Sequence, residues 1–172
     1  TGVILQEALL MGYGAIGTDL EPRMVEYTDA NINKWLKSWY DFETEATAEV
    51  GDATDNVWEQ EFDFVAAETY LGRPFTSTPS AEIVAQTASD TNLIIKKFLN
   101  NIRGQIKPDT RLALAVPAWQ TRPNNFKHLP LIDSLSDLGY NRVSFEHAGD
   151  DQLIYYRPGQ TVARQLIVIT RK

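Results

Sequence analysis

The 172-residue sequence contains no cysteine, and this absence excludes disulfide bonds and thiolate chemistry. Its only histidines, His128 and His147, lie far apart without metal-ligand spacing, so we expect each to be an ordinary surface or core residue. No segment approaches the roughly 18 consecutive apolar residues of a membrane-spanning helix, and no signal peptide opens the chain. These absences predict a cytoplasmic protein with no metal site and no membrane contact.

The chain also lacks an excess of positive charge. Its 23 acidic residues outnumber its 16 lysines and arginines, which gives a net charge of −7. A domain that binds RNA or DNA unaided usually carries a basic face, because phosphate contacts supply most of the affinity. If the substrate is a nucleic acid, we therefore expect another domain to deliver it. The alternative is that the acidity only maintains solubility.

A glycine-rich segment, GYGAIG at residues 12–17, matches the spacing of the dinucleotide-binding fingerprint. That fingerprint requires a strand before it and a helix after it, because the helix N-terminus binds the pyrophosphate. Here the order is reversed, since residues 2–11 predict a helix and residues 15–20 a strand. Gly12 is then a helix-capping glycine and Gly14 a turn glycine, which disfavours an NAD-dependent oxidoreductase.

The rest of the chain alternates helices and strands, which predicts an α/β domain with a parallel sheet. Helices are predicted at 21–40, 80–103 and 128–139, and strands at 48–50, 61–68, 111–119, 141–147, 152–157 and 163–170. The RPGQT turn at 157–161 predicts a closing hairpin, which adds an antiparallel strand to the sheet. The length suits a single domain. Such a domain normally has a central first strand, which is missing before residue 2.

These segments resemble the class I S-adenosylmethionine-dependent methyltransferases. More narrowly, they are similar to an RNA methylase family that includes the THUMP-linked tRNA guanine-N2 methyltransferases. Four segments carry the resemblance: GTDLEPRMVEYTDANIN, GDA at 51–53, DFVAAETYLGRPF and YYRPGQTVARQLIVI. Thr1 and Gly2 are similar to the end of the glycine loop, which contacts the methionine part of the cofactor. The resemblance covers nearly the whole chain and implies a Rossmann-like sheet without its first strand, from the C-terminal part of a longer protein.

The resemblance implies a site for S-adenosylmethionine. Asp19 ends a predicted strand at the carboxyl edge of the sheet, where ligands bind in open α/β folds. Its carboxylate would accept hydrogen bonds from both ribose hydroxyls, and Leu20 would flank the adenine. Asp52 would accept a hydrogen bond from the adenine amino group, and the N–H of Ala53 would complete adenine recognition. The alternative is that Asp19 and Asp52 only fix turns or cap helices.

The ETYLG segment at 68–72 corresponds to the family's catalytic Asp-Pro-Pro-Tyr-Gly loop. Glu68 falls on the carboxylate that accepts hydrogen bonds from the target amine, which orients the amine lone pair and disperses its developing charge. Thr69 and Tyr70 replace the two prolines that stiffen this loop, and Leu71 replaces the aromatic residue that stacks on the base. Tyr70 would supply the stacking ring from one position earlier. These departures imply either a different approach of the base or a loss of activity.

Arg73 follows this loop and would contact an RNA phosphate, or else form an ion pair with a surface acid. Lys127 and His128 would line the substrate approach. Several apolar residues are expected to pack in the core: Val3, Ile4, Ala8, Met11, Trp35, Leu36, Trp39 and Trp119.

Three functions remain open at this point. The first is methyl transfer to an exocyclic amine of an RNA base, guanine N2 in tRNA, which requires the base to leave its stack. The second is a catalytically inactive methyltransferase-fold scaffold that binds a partner, and the third is a DNA or protein amino-methyltransferase. Loss of S-adenosylmethionine binding would indicate the second, and substrate tests separate the third from the first.

Overall fold

The computed structural model describes residues 1–75, 79–122 and 125–172. Its α-helices are α1 (Val3–Leu10), α2 (Pro22–Asp29) and α3 (Ala81–Arg103). Its strands are β1 (Ala15–Asp19), β2 (Ala46–Val50), β3 (Phe64–Glu68), β4 (Arg111–Arg122), β5 (Asn125–Lys127), β6 (Tyr140–Val143), β7 (Ile154–Tyr155) and β8 (Val162–Arg171). Shorter helical segments are a π-helix at Ala30–Trp35 and 3-10 helices at Leu36–Ser38, Pro130–Leu138 and Asp150–Leu153.

Local signals fix several helix ends where the sequence predicts them. The Ser80 side chain accepts a hydrogen bond from the N–H of Ile83 and so caps the start of α3. Gly12 follows α1 with a φ of 82°, a left-handed conformation that glycine adopts at little cost. The prediction that a helix precedes the glycine-rich segment and a strand follows it is therefore confirmed.

The chain forms two compact units, Thr1–Asn56 and Val57–Lys172. In the first unit, β1 and β2 form a parallel pair. In the second, the strand order is β3-β4-β8-β6, with β5 added to β4 and β7 added to β8. Strands β3 and β4 are parallel, and β8 is antiparallel to β4, β6 and β7. The predicted parallel pairing and the closing antiparallel hairpin are both confirmed.

The second unit has the larger core, between α3, the 3-10 helix at Pro130–Leu138 and one face of the sheet. Leu99 on α3 and Leu112 and Leu114 on β4 are fully buried in it. Tyr140 is also fully buried, and its hydroxyl donates a 2.7 Å hydrogen bond to the carbonyl oxygen of Leu99. Burial raises the pKa of Tyr140 to about 12, so the neutral hydroxyl remains a donor at physiological pH.

The first unit corrects the predicted core face of α1. Val3, Ile4 and Met11 are 60%, 44% and 65% exposed, whereas Leu9 is 1% exposed. The reason is the contact with β1, because a Cβ atom on Gly17 would lie 2.8 Å from a methyl carbon of Leu5. The helix therefore packs on the strand through the face that carries Leu5 and Leu9.

The predicted helix at 21–40 is also corrected. Only its part α2 is an α-helix, and a π-helix follows. The wider turn of the π-helix shifts the angular position of the side chains after it. Leu36 is buried as predicted, but Trp35 and Trp39 are 58% and 71% exposed. The prediction that both tryptophans pack in the core is wrong, since it assumed a uniform α-helical period.

Two further predictions need correction near the end of the chain. The predicted helix at 128–139 is a 3-10 segment, Pro130–Leu138, with non-helical dihedral angles at Ser134. The strand predicted at 111–119 is longer than expected, because β4 continues to Arg122 and pairs with β5.

Leu99 and Leu93 provide a matched test of the core around α3. Leu99 is fully buried and Leu93 is 57% exposed on the same helix. We expect Leu99→Ala to lower the free energy of unfolding by about 2–5 kcal/mol, because it leaves a cavity. Leu93→Ala should change it by less than about 0.5 kcal/mol, as expected for a surface site. Urea denaturation measures both values, and equal losses would contradict this description of the core.

Candidate functional site

Asp19 and Asp52 lie at the same end of the parallel pair in the first unit. Asp19 is the last residue of β1 and is paired with Val50, the last residue of β2. The N–H of Gly51 donates a 3.1 Å hydrogen bond to the carbonyl oxygen of Asp19, which joins the two strand ends. The structure therefore brings together the two strand ends at which the predicted cofactor-binding residues Asp19 and Asp52 lie.

Each of these carboxylates uses one oxygen to fix its own turn. Asp19 Oδ1 accepts a 2.9 Å hydrogen bond from the N–H of Glu21, and Asp52 Oδ1 accepts one of 2.9 Å from the N–H of Thr54. These are the turn roles that aspartate commonly has. Among the described residues, no group donates a hydrogen bond to Asp19 Oδ2. Turn formation therefore leaves one Asp19 oxygen available to a ligand.

The neighbours of these carboxylates differ in exposure. Leu20, which follows Asp19, is 71% exposed, so its side chain is available for contact with a ring. Ala53 is half-buried in the turn after Asp52.

Thr1 and Gly2 are fixed by contacts within the first unit. The carbonyl oxygen of Thr1 accepts hydrogen bonds of 3.1 Å from the side chains of Gln6 and Asn31. Gly2 has a φ of 72°, and a Cβ atom there would lie 2.3 Å from Cγ2 of Thr28. Only glycine fits this position, because any side chain would meet both backbone strain and a steric clash.

Glu68 and Thr69 lie at the carboxyl end of β3 in the second unit. Glu68 is the last residue of the strand and is paired with Ala115 of β4. The backbone N–H and the hydroxyl of Thr69 both donate to the carbonyl oxygen of Ala115, at 3.0 and 3.1 Å. The chain is thereby held against β4 directly after Glu68.

Arg164 of β8 forms an ion pair with Glu68, which sequence reasoning did not predict. Arg164 Nε lies 2.5 Å from Glu68 Oε2, and Nη2 lies 3.5 Å from Oε1. Arg164 is paired with Tyr155 of β7, and the Tyr155 hydroxyl accepts a 2.9 Å hydrogen bond from Nε of Arg157. We call Glu68, Arg164, Tyr155 and Arg157 the Glu68 row. No local pattern could have identified it, because Glu68 and Arg164 are 96 residues apart.

Tyr70 and Arg73 line a cavity of about 130 Å³ between the loop after β3 and α3. Gln86, Thr87, Asp90 and Thr91 of α3 form the other wall, and Gln86 donates a 2.8 Å hydrogen bond to Asp90. Arg73 forms no ion pair with any described acid. Leu71 is half-buried between Tyr70 and Gly72 in the sequence.

The wall of this cavity contains a polar atom without a partner. The hydroxyl oxygen of Thr91 is buried and forms no hydrogen bond with any residue that the structure describes. Gly72 approaches the same wall with a φ of 91°, and a Cβ atom there would lie 2.6 Å from Cγ2 of Thr87. Buried polar groups almost always find a partner, so Thr91 is available to a bound water or ligand atom.

The remaining residues singled out from the sequence do not line the cavity beside Tyr70 and are not part of the Glu68 row. Trp119 is fully buried, which confirms its predicted place in the core. His147 is an exposed residue 3.9 Å from Glu146, and His128 Nδ1 lies 2.8 Å from the amide oxygen of Gln165. Lys127 ends β5.

Among the described residues, no group of three or more histidine, aspartate or glutamate side chains could hold a metal ion. No helix within the described ranges is long and apolar enough to cross a membrane.

Comparison with known proteins bears on the fold. No protein-family model and no curated protein matches the chain. Solved structures do match it, including a SAM-dependent methyltransferase from Methanosarcina mazei, with a TM-score of 0.62 and 14% identity over 96% of this chain and 85% of that one. TrmN from Thermus thermophilus gives a TM-score of 0.60 and 17% identity, over 98% of this chain and 40% of that one.

A third match is a TehB-like SAM-dependent methyltransferase from Corynebacterium glutamicum. Its TM-score is 0.53, with 19% identity over 99% of this chain and 73% of that one. The chain has a Rossmann-like methyltransferase fold. Because these identities are low, the likeness concerns the fold, and function must be argued from the site.

Gly72 and Gly159 provide a matched test of the cavity wall. Both have a positive φ, of 91° and 83°, but a Cβ atom on Gly159 would meet nothing within 4 Å. We expect Gly159→Ala to lose about 1–2 kcal/mol of unfolding free energy through backbone strain alone. Gly72→Ala should lose at least about 1 kcal/mol more, because its Cβ also displaces Thr87. Denaturant titration measures the difference, and equal losses would show that Gly72 is not packed against α3.

Proposed function

We propose that this chain carries out S-adenosylmethionine-dependent methyl transfer to an exocyclic amine of an RNA base, with guanine N2 in tRNA as the target. The observation that carries the proposal is the placement of Glu68. Glu68 lies at the carboxyl end of β3. Tyr70, two residues later, lines a cavity together with Arg73. In open α/β folds this edge of the sheet is where ligands bind. The methyltransferase fold and the likeness to TrmN support the same reading.

The residues of the first unit fit the proposed cofactor. Asp19 Oδ2 accepts no hydrogen bond from the described part of the chain, and the exposed Leu20 follows this residue. A free anionic acceptor beside an apolar side chain suits a ribose diol attached to a flat aromatic ring. Asp19 would accept from the ribose hydroxyls, Leu20 would contact the adenine, and Asp52 with Ala53 would recognise the adenine edge. The cofactor supplies an electrophilic methyl group, and the protein supplies orientation.

Glu68 would act on the acceptor amine. Its carboxylate accepts an N–H hydrogen bond, which turns the nitrogen lone pair towards the methyl group and stabilises the positive charge that develops on the nitrogen. Arg164 holds this carboxylate through Nε at 2.5 Å, and so limits its rotation. Tyr70 would stack on the base, and Arg73 would contact a nearby phosphate. The net charge of −7 favours delivery of the RNA by another domain.

Cofactor binding is tested by calorimetric titration of S-adenosylhomocysteine. We expect Asp19→Asn to weaken binding about tenfold or more, because charge-assisted hydrogen bonds contribute about 1.5–3 kcal/mol and 1.4 kcal/mol is a factor of ten. Asparagine can still accept the hydrogen bond from Glu21, so the turn should persist. Asp41→Asn, at another exposed acid of the same unit, is the control. No binding to the unaltered chain would favour the inactive scaffold.

Catalysis is tested by methyl transfer from labelled S-adenosylmethionine to a tRNA transcript. We expect Glu68→Gln to lower kcat by about 100-fold, the scale of loss for one preorganised electrostatic contact. The control is Glu61→Gln, because Glu61 is also an exposed acid in an ion pair, with Lys107 at 2.6 Å. Equal activity of the two variants would contradict the role of Glu68. Transfer to a DNA or protein amine instead of RNA would correct the substrate class.

A further inference from the structure

A second cavity in the second unit, of about 620 Å³, is not accounted for by the proposed methyl transfer. It lies beside β5 and β7, and its lining includes Phe126, His128, Asp150, Asp151 and Tyr156. This volume falls within the range of small-molecule sites, about 300–1,000 Å³. The lining combines aromatic rings with hydrogen-bond acceptors.

The aromatic part of the lining is Phe126 and Tyr156. Their ring centroids are 5.1 Å apart, with an angle of 60° between the planes. An edge-to-face pair of this kind is a favourable and rigid arrangement. It gives the cavity an apolar surface against which a flat ring can pack.

The acidic part of the lining has one neutralised and one free carboxylate. Asp150 forms a two-point ion pair with Arg142, at 2.6 and 3.0 Å. Asp151 forms no ion pair or hydrogen bond with the described residues. The net charge at the cavity is therefore negative and is carried by Asp151, which favours hydrogen-bond donors and disfavours anions.

His128 supplies a second acceptor. Its Nδ1 lies 2.8 Å from Oε1 of Gln165, a residue only 2% exposed. An amide oxygen only accepts hydrogen bonds, so this contact selects the His128 tautomer with the proton on Nδ1. In that tautomer Nε2 is a hydrogen-bond acceptor.

We propose that this cavity binds a planar aromatic ring whose edge carries N–H donors, the chemistry of an amino-substituted purine. The ring packs against Phe126 and Tyr156, and its N–H groups donate to Asp151 and His128. A purine with adjacent ring N–H and amino donors matches a carboxylate at two points.

This ring is distinct from the methyl acceptor. Arg164 and Gln165 are consecutive on β8, and successive side chains of a strand point to opposite faces. Arg164 binds Glu68 on one face, and Gln165 binds His128 on the other. The cavity therefore takes a second ring at the same region of the sheet. The assignment of this second ring to a base next to the methyl acceptor rests on the proposed function. The binding of a ring by the cavity does not.

The test is an NMR titration of guanosine into the 172-residue chain, without any methyl donor. Guanosine has both donors, and inosine lacks the amino group. We expect shifts at cavity residues, tighter binding of guanosine than of inosine, and about tenfold weaker guanosine binding by Asp151→Asn. Phe126→Leu should weaken it about threefold or more through loss of an aromatic contact. Asp137→Asn, at an exposed acid outside the lining, is the control.

Three results would overturn the proposal: no shifts at cavity residues with millimolar guanosine, equal affinities for guanosine and inosine, or no effect of Asp151→Asn. Competition by a guanosine-containing oligoribonucleotide would identify a nucleic-acid base as the occupant. Guanosine binding without such competition would assign the cavity to a free aromatic amine. Both results support the binding of a planar ring that carries N–H donors. Because no methyl donor is present, failure here leaves the proposed function standing, and failure of S-adenosylhomocysteine binding leaves this site standing.

Discussion

The second unit depends on the register of β4, which pairs along both of its edges. On one side Glu68 lies opposite Ala115, and on the other Arg164 lies opposite Pro117. Residues two apart on a strand share a face and are about 6.6–6.8 Å apart, a distance that long glutamate and arginine side chains can bridge. A slip of one residue between β4 and β8 would turn Arg164 to the other face and leave Glu68 without its cation.

The net charge of −7 does not show where the charged side chains lie, and their positions matter more for function. In the second unit, Arg164 and Arg157 belong to the Glu68 row. On the other face of β8, the free carboxylate is Asp151. Arg164 and the cavity that contains Asp151 are thus on opposite faces of β8, because successive side chains of a strand alternate in direction. A sum over the sequence cannot express this separation.

The sequence predicts best what short-range chemistry determines. The capping of α3 by Ser80 and the turn at Gly12 follow from residue type, and both occur as predicted. The carboxyl-edge positions of Asp19 and Glu68 follow from strand order. The exposure of Trp35 could not be predicted, because the π-helix changes the angular spacing on which a helical stripe depends. The Glu68 row also escaped prediction, since strand pairing brings its members together from distant positions.

The loop after β3 shows how rigidity can be supplied without proline. Two prolines would stiffen such a loop by fixing φ. Here Thr69 donates from its N–H and its hydroxyl to one carbonyl oxygen of Ala115, which fixes the residue next to Glu68. Gly72 then packs so closely against Thr87 that a side chain there would displace it. The extra methylene of Glu68 would increase its freedom, but Arg164 holds the carboxylate. Hydrogen bonds and packing can therefore supply the rigidity that proline would otherwise supply, so the sequence change alone does not imply a mobile or inactive loop.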